Sequence, residues 1–188
     1  MGREIEIKFP VESEEKLVAR LLALGAQKMS EGLEHNIVFD NGDIRKRGIL
    51  LRLRKTPSGK NVLTIKTTIR KGEFKEADET EIEVSDFAKA KEILAALGYE
   101  IWWIYEKEKT RYILGGTAID IDRLPFGKFM EIEGSEAGIR TAINKLGLDP
   151  KKGIKDTYLE LYQKYCKDKG IDEMENLVFW KKARRNLV

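Results

Sequence analysis

The residues best able to do chemistry in this chain come in sets of like charge, two positions apart. Glu4 and Glu6 precede Lys8 in "REIEIKFP"; Arg52 and Arg54 sit in "LLRLRK"; Lys66 closes "LTIK"; Glu81 and Glu83 sit in "TEIE". Lys107, Lys109 and Arg111 follow in "EKEKTR", then Asp120 and Asp122 in "IDID", then Glu131 and Glu133 in "MEIE". Side chains at i and i+2 of a strand project from the same side. Each set therefore lines one face, and the intervening Ile, Leu and Met line the other. All-oxygen ligation from carboxylates suits Mg2+ or Mn2+ rather than zinc. A fixed array of Lys and Arg suits phosphate, with Arg offering a bidentate fork. A metal-bridged polyphosphate satisfies both kinds of set at once.

A charged strand face usually lies in water. Two features point inward instead. The signs are sorted within strands, although like charges at close range repel by about 1 kcal/mol even in a water-like dielectric. A face needed only for solubility would mix signs. In addition, several amphipathic helices must bury their apolar stripes, and the apolar strand faces are the available partners. If helices wrap the outside of a closed sheet, the charges face its interior, where they need a counter-ligand.

The spacing predicts a strand over 3–9 and a helix in "SEEKLVARLLALGA", with Ser13 as N-cap and Gly25 as stop. Strands are expected in "HNIVFD", "GILLRLRKT" and "NVLTIKTT", the last two joined by the turn "PSGK". "RKGEFKEADE" reads as a polar loop, "TEIEV" as a strand and "SDFAKAKEILAALG" as a helix. "YEIWWIYEKEKTRYIL" is long and rich in aromatic and branched residues, hence β-prone. "TAIDIDRL" and "FMEIEG" read as strands, "SEAGIRTAINKLG" and "DTYLELYQKYCKD" as helices, and about 169–188 as a helical tail. Glu-x-Glu precedes a helix ending in Leu-Gly three times, either a duplicated strand–helix unit or the ordinary way to end a helix.

Length and composition fit one domain over 1–188 with a substantial core. Charged residues reach 36%, but 35 basic and 32 acidic side chains nearly cancel, so net charge predicts no polyanion partner. A single cysteine, Cys166, excludes an intrachain disulfide and fits a reducing, cytoplasmic setting. A single histidine, His35, argues against a His-rich zinc site or a His-based triad. No apolar run is long enough for a membrane span, so no membrane partner is expected. The basic stretch "FWKKARR" reads as a solvated helix face, which makes nucleic acid an unlikely partner. Oligomeric state is not legible.

"EIEIK" resembles the N-terminal Glu-x-Glu-x-Lys signature of the CYTH superfamily, also called triphosphate tunnel metalloenzymes. "LLRLRK", "LTIK", "EIE", "KTR", "IDRLPFGKFMEIEG" and "KDTYLELY" follow in that family's order, from about residue 3 to residue 165. The resemblance implies an α+β fold: a closed antiparallel β-barrel of about eight strands, a charged tunnel, with amphipathic helices packed outside. It implies Glu4, Glu6, Asp122, Glu131 and Glu133 as ligands of Mg2+ or Mn2+. It implies Lys8, Arg52, Arg54, Lys66, Lys109, Arg111 and Lys155 as triphosphate-binding groups, with Lys155 closing the site from a C-terminal helix. Glu4, Glu6, Lys8 and Arg111 would carry the catalysis. Glu81 and Glu83 would be further tunnel carboxylates, and Asp120 and Lys107 fit the spacing. "HNIVFD" departs from the family's usual acidic residue and Tyr-Phe before the Asp.

The family includes class IV adenylyl cyclases, thiamine triphosphatases and inorganic triphosphatases. The expected function is metal-dependent hydrolysis of an inorganic or organic triphosphate, a small-molecule or nucleotide partner. The alternative is an adenylyl cyclase forming cyclic AMP and pyrophosphate. A non-catalytic polyphosphate- or nucleotide-binding module is the third reading. Retention of every acidic set argues against it, because binding alone favours the basic ones.

Overall fold

The alternation in "REIEIKFP" becomes β1 (Gly2–Pro10), with Ile7 and Phe9 buried on one side and Glu6 and Lys8 on the other. The computed structural model describes residues 2–174 and 176–179. The remaining long strands are β2 (Gln27–Asp40), β3 (Ile49–Lys55), β4 (Asn61–Lys71), β5 (Lys75–Val84), β6 (Glu100–Leu114), β7 (Thr117–Leu124) and β8 (Gly127–Glu133). They pair in the order β2-β3-β4-β5-β1-β8-β7-β6, and β6 returns to β2. Every one of those pairings is antiparallel, so β1 to β8 close an eight-stranded barrel. Closure gives each of these strands a neighbour on both sides over part of its length.

The first three helices lie outside, as the apolar strand faces require. Helices α1 (Glu14–Ala23) and α3 (Glu136–Leu146) bury Leu21, Ile139 and Ile143 against Ile7, Phe9, Ile119 and Ile132. Helix α2 (Phe87–Ala96) buries Ala90 and Leu94 against Ile37, Leu51 and Leu53. Serine or aspartate caps each N-terminus: Ser13, Asp86 and Ser135 accept from a backbone N–H in the first turn. Helix α4 (Tyr158–Lys169), with a Thr157–Glu160 capping box, packs Tyr158, Tyr162 and Cys166 onto Trp103, Tyr105 and Leu124.

Several elements differ from the sequence reading. The polar stretch "RKGEFKEADE" is not a loop: β4 runs to Lys71 and β5 starts at Lys75. Its charges misled because both faces are polar; the inward face serves the interior, and outward Glu76 is buried under Arg3 and Arg70. "HNIVFD" is the end of the longer β2, whose first residues are exposed and show no apolar alternation. Past α4, Gly170 ends the helix in the left-handed region, and β9 (Asn176–Leu177) pairs parallel with Ile104 and Tyr105 of β6. The helix expected over about 169–188 thus gives way to a strand at Asn176–Leu177. Its remainder from 180 onward lies outside the described residues.

Candidate active site

Closure of the barrel turns the like-charged sets toward one another around a cavity of about 660 Å³. Glu4, Glu6, Lys8, Arg52, Arg54, Lys66, Glu81, Lys107, Lys109, Arg111, Asp120, Glu131 and Glu133 all line it. The register explains the meeting: Glu6 stands opposite Glu133, Lys8 opposite Glu131, Lys109 opposite Asp122, and Arg111 opposite Asp120.

Every strand contributes charges, and nearly every charge is matched by one of opposite sign on a neighbour. Arg111 donates both arms of its guanidinium to Asp120, at 2.7 and 2.6 Å, and reaches Glu133 at 3.2 Å. Lys109 lies 2.7 Å from the same Asp120. Lys8 sits 2.9 Å from Glu131 and donates to Glu6 at 3.1 Å. Arg54 and Thr64 both donate to Glu81, at 2.6 and 2.7 Å. Lys66 pairs with Glu4 and lies 3.3 Å from Glu79. Lys107, almost completely buried, donates to Asp122 at 2.8 Å and lies 3.7 Å from both Glu34 and Glu131.

Protonation follows from these neighbours. Burial alone would raise the Glu6 carboxyl, but Lys8, then Lys75 and Lys66, hold it well below the usual carboxylate range. Burial also opposes ionisation of Glu34, yet Lys107, Lys109 and Arg54 pull it down to about 2. For Lys8, burial lowers and Glu131 and Glu6 raise, and the carboxylates win. Asp122 goes the other way: burial, helped by Glu131, pushes it up to about 6 against the pull of Lys107. The Tyr158 phenol donates to Asp122 at 2.7 Å, and its ring lies 5.3 Å from the Lys8 ammonium and 5.1 Å from that of Lys107.

Three expected residues fall elsewhere. Lys155 is not on a helix and does not line the cavity. It lies in the connector before α4, where Ile154 pairs with Lys8 through backbone bonds of 3.0 and 2.8 Å. That connector runs so close to β1 that a Cβ at Gly153 would collide with Ile7. Thr157, Tyr158, Leu159 and Glu160 occupy the lining position given to Lys155. Glu83 has passed the rim and pairs with exposed Lys60 at 2.7 Å. Asp122 is sealed behind the wall under Lys107 and Tyr158, one carboxylate oxygen without a partner.

Glu34, Lys75, Glu79 and Tyr158 are among the lining residues that escaped the sequence reading. Extending the Glu83–Glu81 ladder back by twos reaches Glu79, Ala77 and Lys75, so the signal was present. Lys75 donates to Glu6 at 2.7 Å. Burial first, then Lys8 and Lys66, lower its affinity for a proton.

The carboxylates suit a hard divalent cation in kind, since all their donors are oxygen. As arranged, no three acidic, His or Cys side chains among the described residues gather around one point, because each closes onto an ammonium or guanidinium. One region nevertheless holds excess negative charge. Burial raises both Glu79 and Glu133, and Glu4 adds to each, against Lys66 at the first and Arg111 at the second. A cation beside Glu4 would relieve that crowding, so the residues fit the metal.

A closed antiparallel barrel with an inward-facing ladder of acidic and basic strand residues, and helices packed outside, defines the class to which this protein belongs. The sequence profile of the CYTH domain matches residues 2–158, most of the chain, and the chain belongs to the CYTH domain family. It is 26% identical over 177 residues to a candidate adenylate cyclase of Methanocaldococcus jannaschii, covering 84% of this chain and 97% of that protein. Among solved structures, a conserved hypothetical protein of Pyrococcus furiosus is 28% identical with a TM-score of 0.74, covering 84% of this chain and 99% of the other. An adenylyl cyclase candidate from Hippeastrum, described as revealing a dominant triphosphatase activity, shares the fold at 18% identity and a TM-score of 0.65, covering 87% and 96%. No helix among the described residues is long and apolar enough to cross a membrane.

Proposed function

We propose that this protein is a phosphohydrolase that binds a triphosphate in its barrel and cleaves it with the aid of Mg2+ or Mn2+. The observation that carries this reading is the enclosed chamber in which Lys8, Lys66, Lys109, Arg52, Arg54 and Arg111 converge from four strands, interleaved with carboxylates. Family membership supports it.

Phosphoryl transfer asks for positioning and charge neutralisation more than for a covalent nucleophile. The basic side chains supply most of that. Arg52 and Arg54 on β3 line the same cavity as Lys109 and Arg111 on β6, so a linear polyanion within it meets donors from two strands. Lys8 and Lys66 are protonated at neutral pH, their carboxylate partners raising both. They stabilise negative charge that builds on non-bridging oxygens. Glu4, Glu6, Glu131 and Glu133 would hold the metal, with Asp122 supporting from behind. The metal would supply Lewis-acid polarisation of phosphate oxygens.

The second reading, an adenylyl cyclase, rests on the Methanocaldococcus relative and needs nearly the same chamber. Incubation with tripolyphosphate and with ATP, each with Mg2+ or Mn2+, separates the readings. Phosphate release supports the hydrolase and cyclic AMP the cyclase; binding without any product overturns both and leaves a polyanion-binding module.

A further inference from the structure

Three neighbouring strands form a cationic wall. β3, β2 and β6 stand side by side in the sheet, and among the described residues they present Arg52, Arg54, Lys107, Lys109 and Arg111 to the cavity. Against these cations the same wall sets one lining carboxylate, Glu34, from the middle strand β2. Its neighbours along β2 bring no charge: Ser30 and Val38 line the cavity, and Asn36 is buried between Glu34 and Val38. β3, β4 and β5 on one side, and β6, β7 and β8 on the other, separate β2 from β1. Glu34 is therefore not one of the carboxylates near Glu4 that fit a metal.

Glu34 holds none of these cations in place. Its carboxylate lies 3.6 Å from Arg54 and 3.7 Å from Lys107, too far for a hydrogen bond. Its Oε1 has no partner, although the side chain is only 2% exposed. The bonds that aim the cations go elsewhere. Arg54 donates to Glu81 at 2.6 Å, Lys107 to Asp122 at 2.8 Å and Arg111 to Asp120 at 2.7 and 2.6 Å, while Lys109 lies 2.7 Å from Asp120. Burial opposes ionisation of Glu34, but Lys107, Lys109 and Arg54 outweigh it and keep the carboxylate charged. What Glu34 adds to the wall is negative charge, and little geometry.

We propose that Glu34 is an internal competitor of the polyanion, a carboxylate that weakens the grip of the cationic wall so that cleaved phosphates leave it. The inference rests on the triphosphate reading of the chamber and deepens it. A wall of cations holds substrate and product alike, and such uniform binding lowers KM without raising kcat. Product release then limits turnover. A buried carboxylate in the same cavity repels each anion that enters, through a medium that screens charge less than water does. Before an anion enters, it keeps the cations from facing one another uncompensated.

The test is equilibrium binding of tripolyphosphate and of pyrophosphate to the full chain without metal, read by titration calorimetry. Glu34→Gln keeps the size of the side chain and removes its charge. It should bind both anions about tenfold tighter than the parent. Glu34→Asp keeps the charge and should bind within about twofold of the parent. In turnover with Mg2+, Glu34→Gln should lower KM and kcat together, a pattern that partial loss of fold does not produce. A carboxylate that merely ordered the cations would give the opposite sign, weaker binding by the Gln variant. Weaker or unchanged binding by that variant, or the same tightening in both variants, overturns the inference. If Glu34→Gln unfolds at the assay temperature, tripolyphosphate should refold it, because a ligand bound only by the folded state stabilises that state. Failure to refold at concentrations that saturate the parent overturns the inference as well. Absence of product from the parent would count against the hydrolase reading alone, since the sign of the affinity change is read without turnover.

Discussion

One strand, β6, carries both Trp103 and Arg111, and the two satisfy the same inner wall by opposite means. The Trp103 ring stacks 4.5 Å from Tyr105 and 6.4 Å from Tyr162, within a cluster completed by Leu124 and Cys166. Such contacts are non-directional and accumulate with buried area. Arg111 is held by two bonds to Asp120 and one to Glu133, at a half-open mouth. Between them, Lys8 and Lys107 meet Glu6, Glu131, Asp122 and Glu34 in nearly complete burial. Desolvation of so many ions offsets most of their mutual attraction, and an apolar filling would be as stable or more so. The aromatic end thus stabilises the barrel, while the charged middle is stable only while every ion keeps its counter-ion.

The sharpest break between the two regions is functional. Glu4→Gln keeps the size of the side chain and removes one charge from the crowded Glu4–Glu79–Glu133 region. Turnover of tripolyphosphate should fall by about 1,000-fold, while circular dichroism stays that of the parent. Full turnover in this variant would remove the metal assignment. The next effect is on stability. Lys107→Ala strips the cation from Asp122, Glu34 and Glu131 together. Loss of one member of a buried pair costs about 3–5 kcal/mol, so thermal unfolding should move down by roughly 10 °C. A shift of a degree or two would mean that water or neutralised carboxyls already satisfy the site.

The regions also differed in legibility. The charged ladders were readable because a period of two needs only local sequence, and Glu4, Glu6, Arg52, Arg54 and Lys66 line the chamber as expected. The barrel itself was legible through the family resemblance and through the need of the helices for apolar strand faces. Glu34 was hidden because Gln27–Leu33 of β2 is largely exposed and shows no apolar alternation. Lys75 and Glu79 were hidden because a hairpin polar on both faces looks like a loop. The aromatic part of the cavity lining was not legible at all. "IWWI" gives no hint of which indole turns inward, because the bulge that admits both arises from pairing with a strand more than sixty residues earlier.

Acid titration sharpens the comparison further. The Glu34 carboxyl is held at about 2, well under its ordinary value. A depressed carboxylate contributes stability that is present above its unfolded pKa and lost as pH falls through the folded one. Glu34 should therefore contribute on the order of 3 kcal/mol at neutral pH, lost between about pH 4.5 and 2. Denaturant melts across that window should show a steeper acid limb for the parent than for Glu34→Gln. Coincident slopes would place the acid lability in other carboxylates, Glu6 and Glu131 first.

The smallest effect belongs to the aromatic end, and it bounds the comparison from below. Arg45 is a cation on an aromatic wall, as Lys107 is a cation among carboxylates, but it is partly exposed and 3.6 Å from its nearest carboxylate, Asp40. A cation over an indole at an exposed site contributes about 0.5–1 kcal/mol. Water takes the place of the lost partner, so Arg45→Ala leaves no buried charge behind. Its unfolding temperature should fall by about 2 °C, and tripolyphosphate turnover should match the parent, since no phosphate-binding group has changed. The indole emission should shift as the Trp102 face becomes solvated. A cost near that of Lys107→Ala would mean that Arg45 holds the β2–β3 connection and the mouth together, and the division of the chamber into a charged part and an apolar part would fail at that residue.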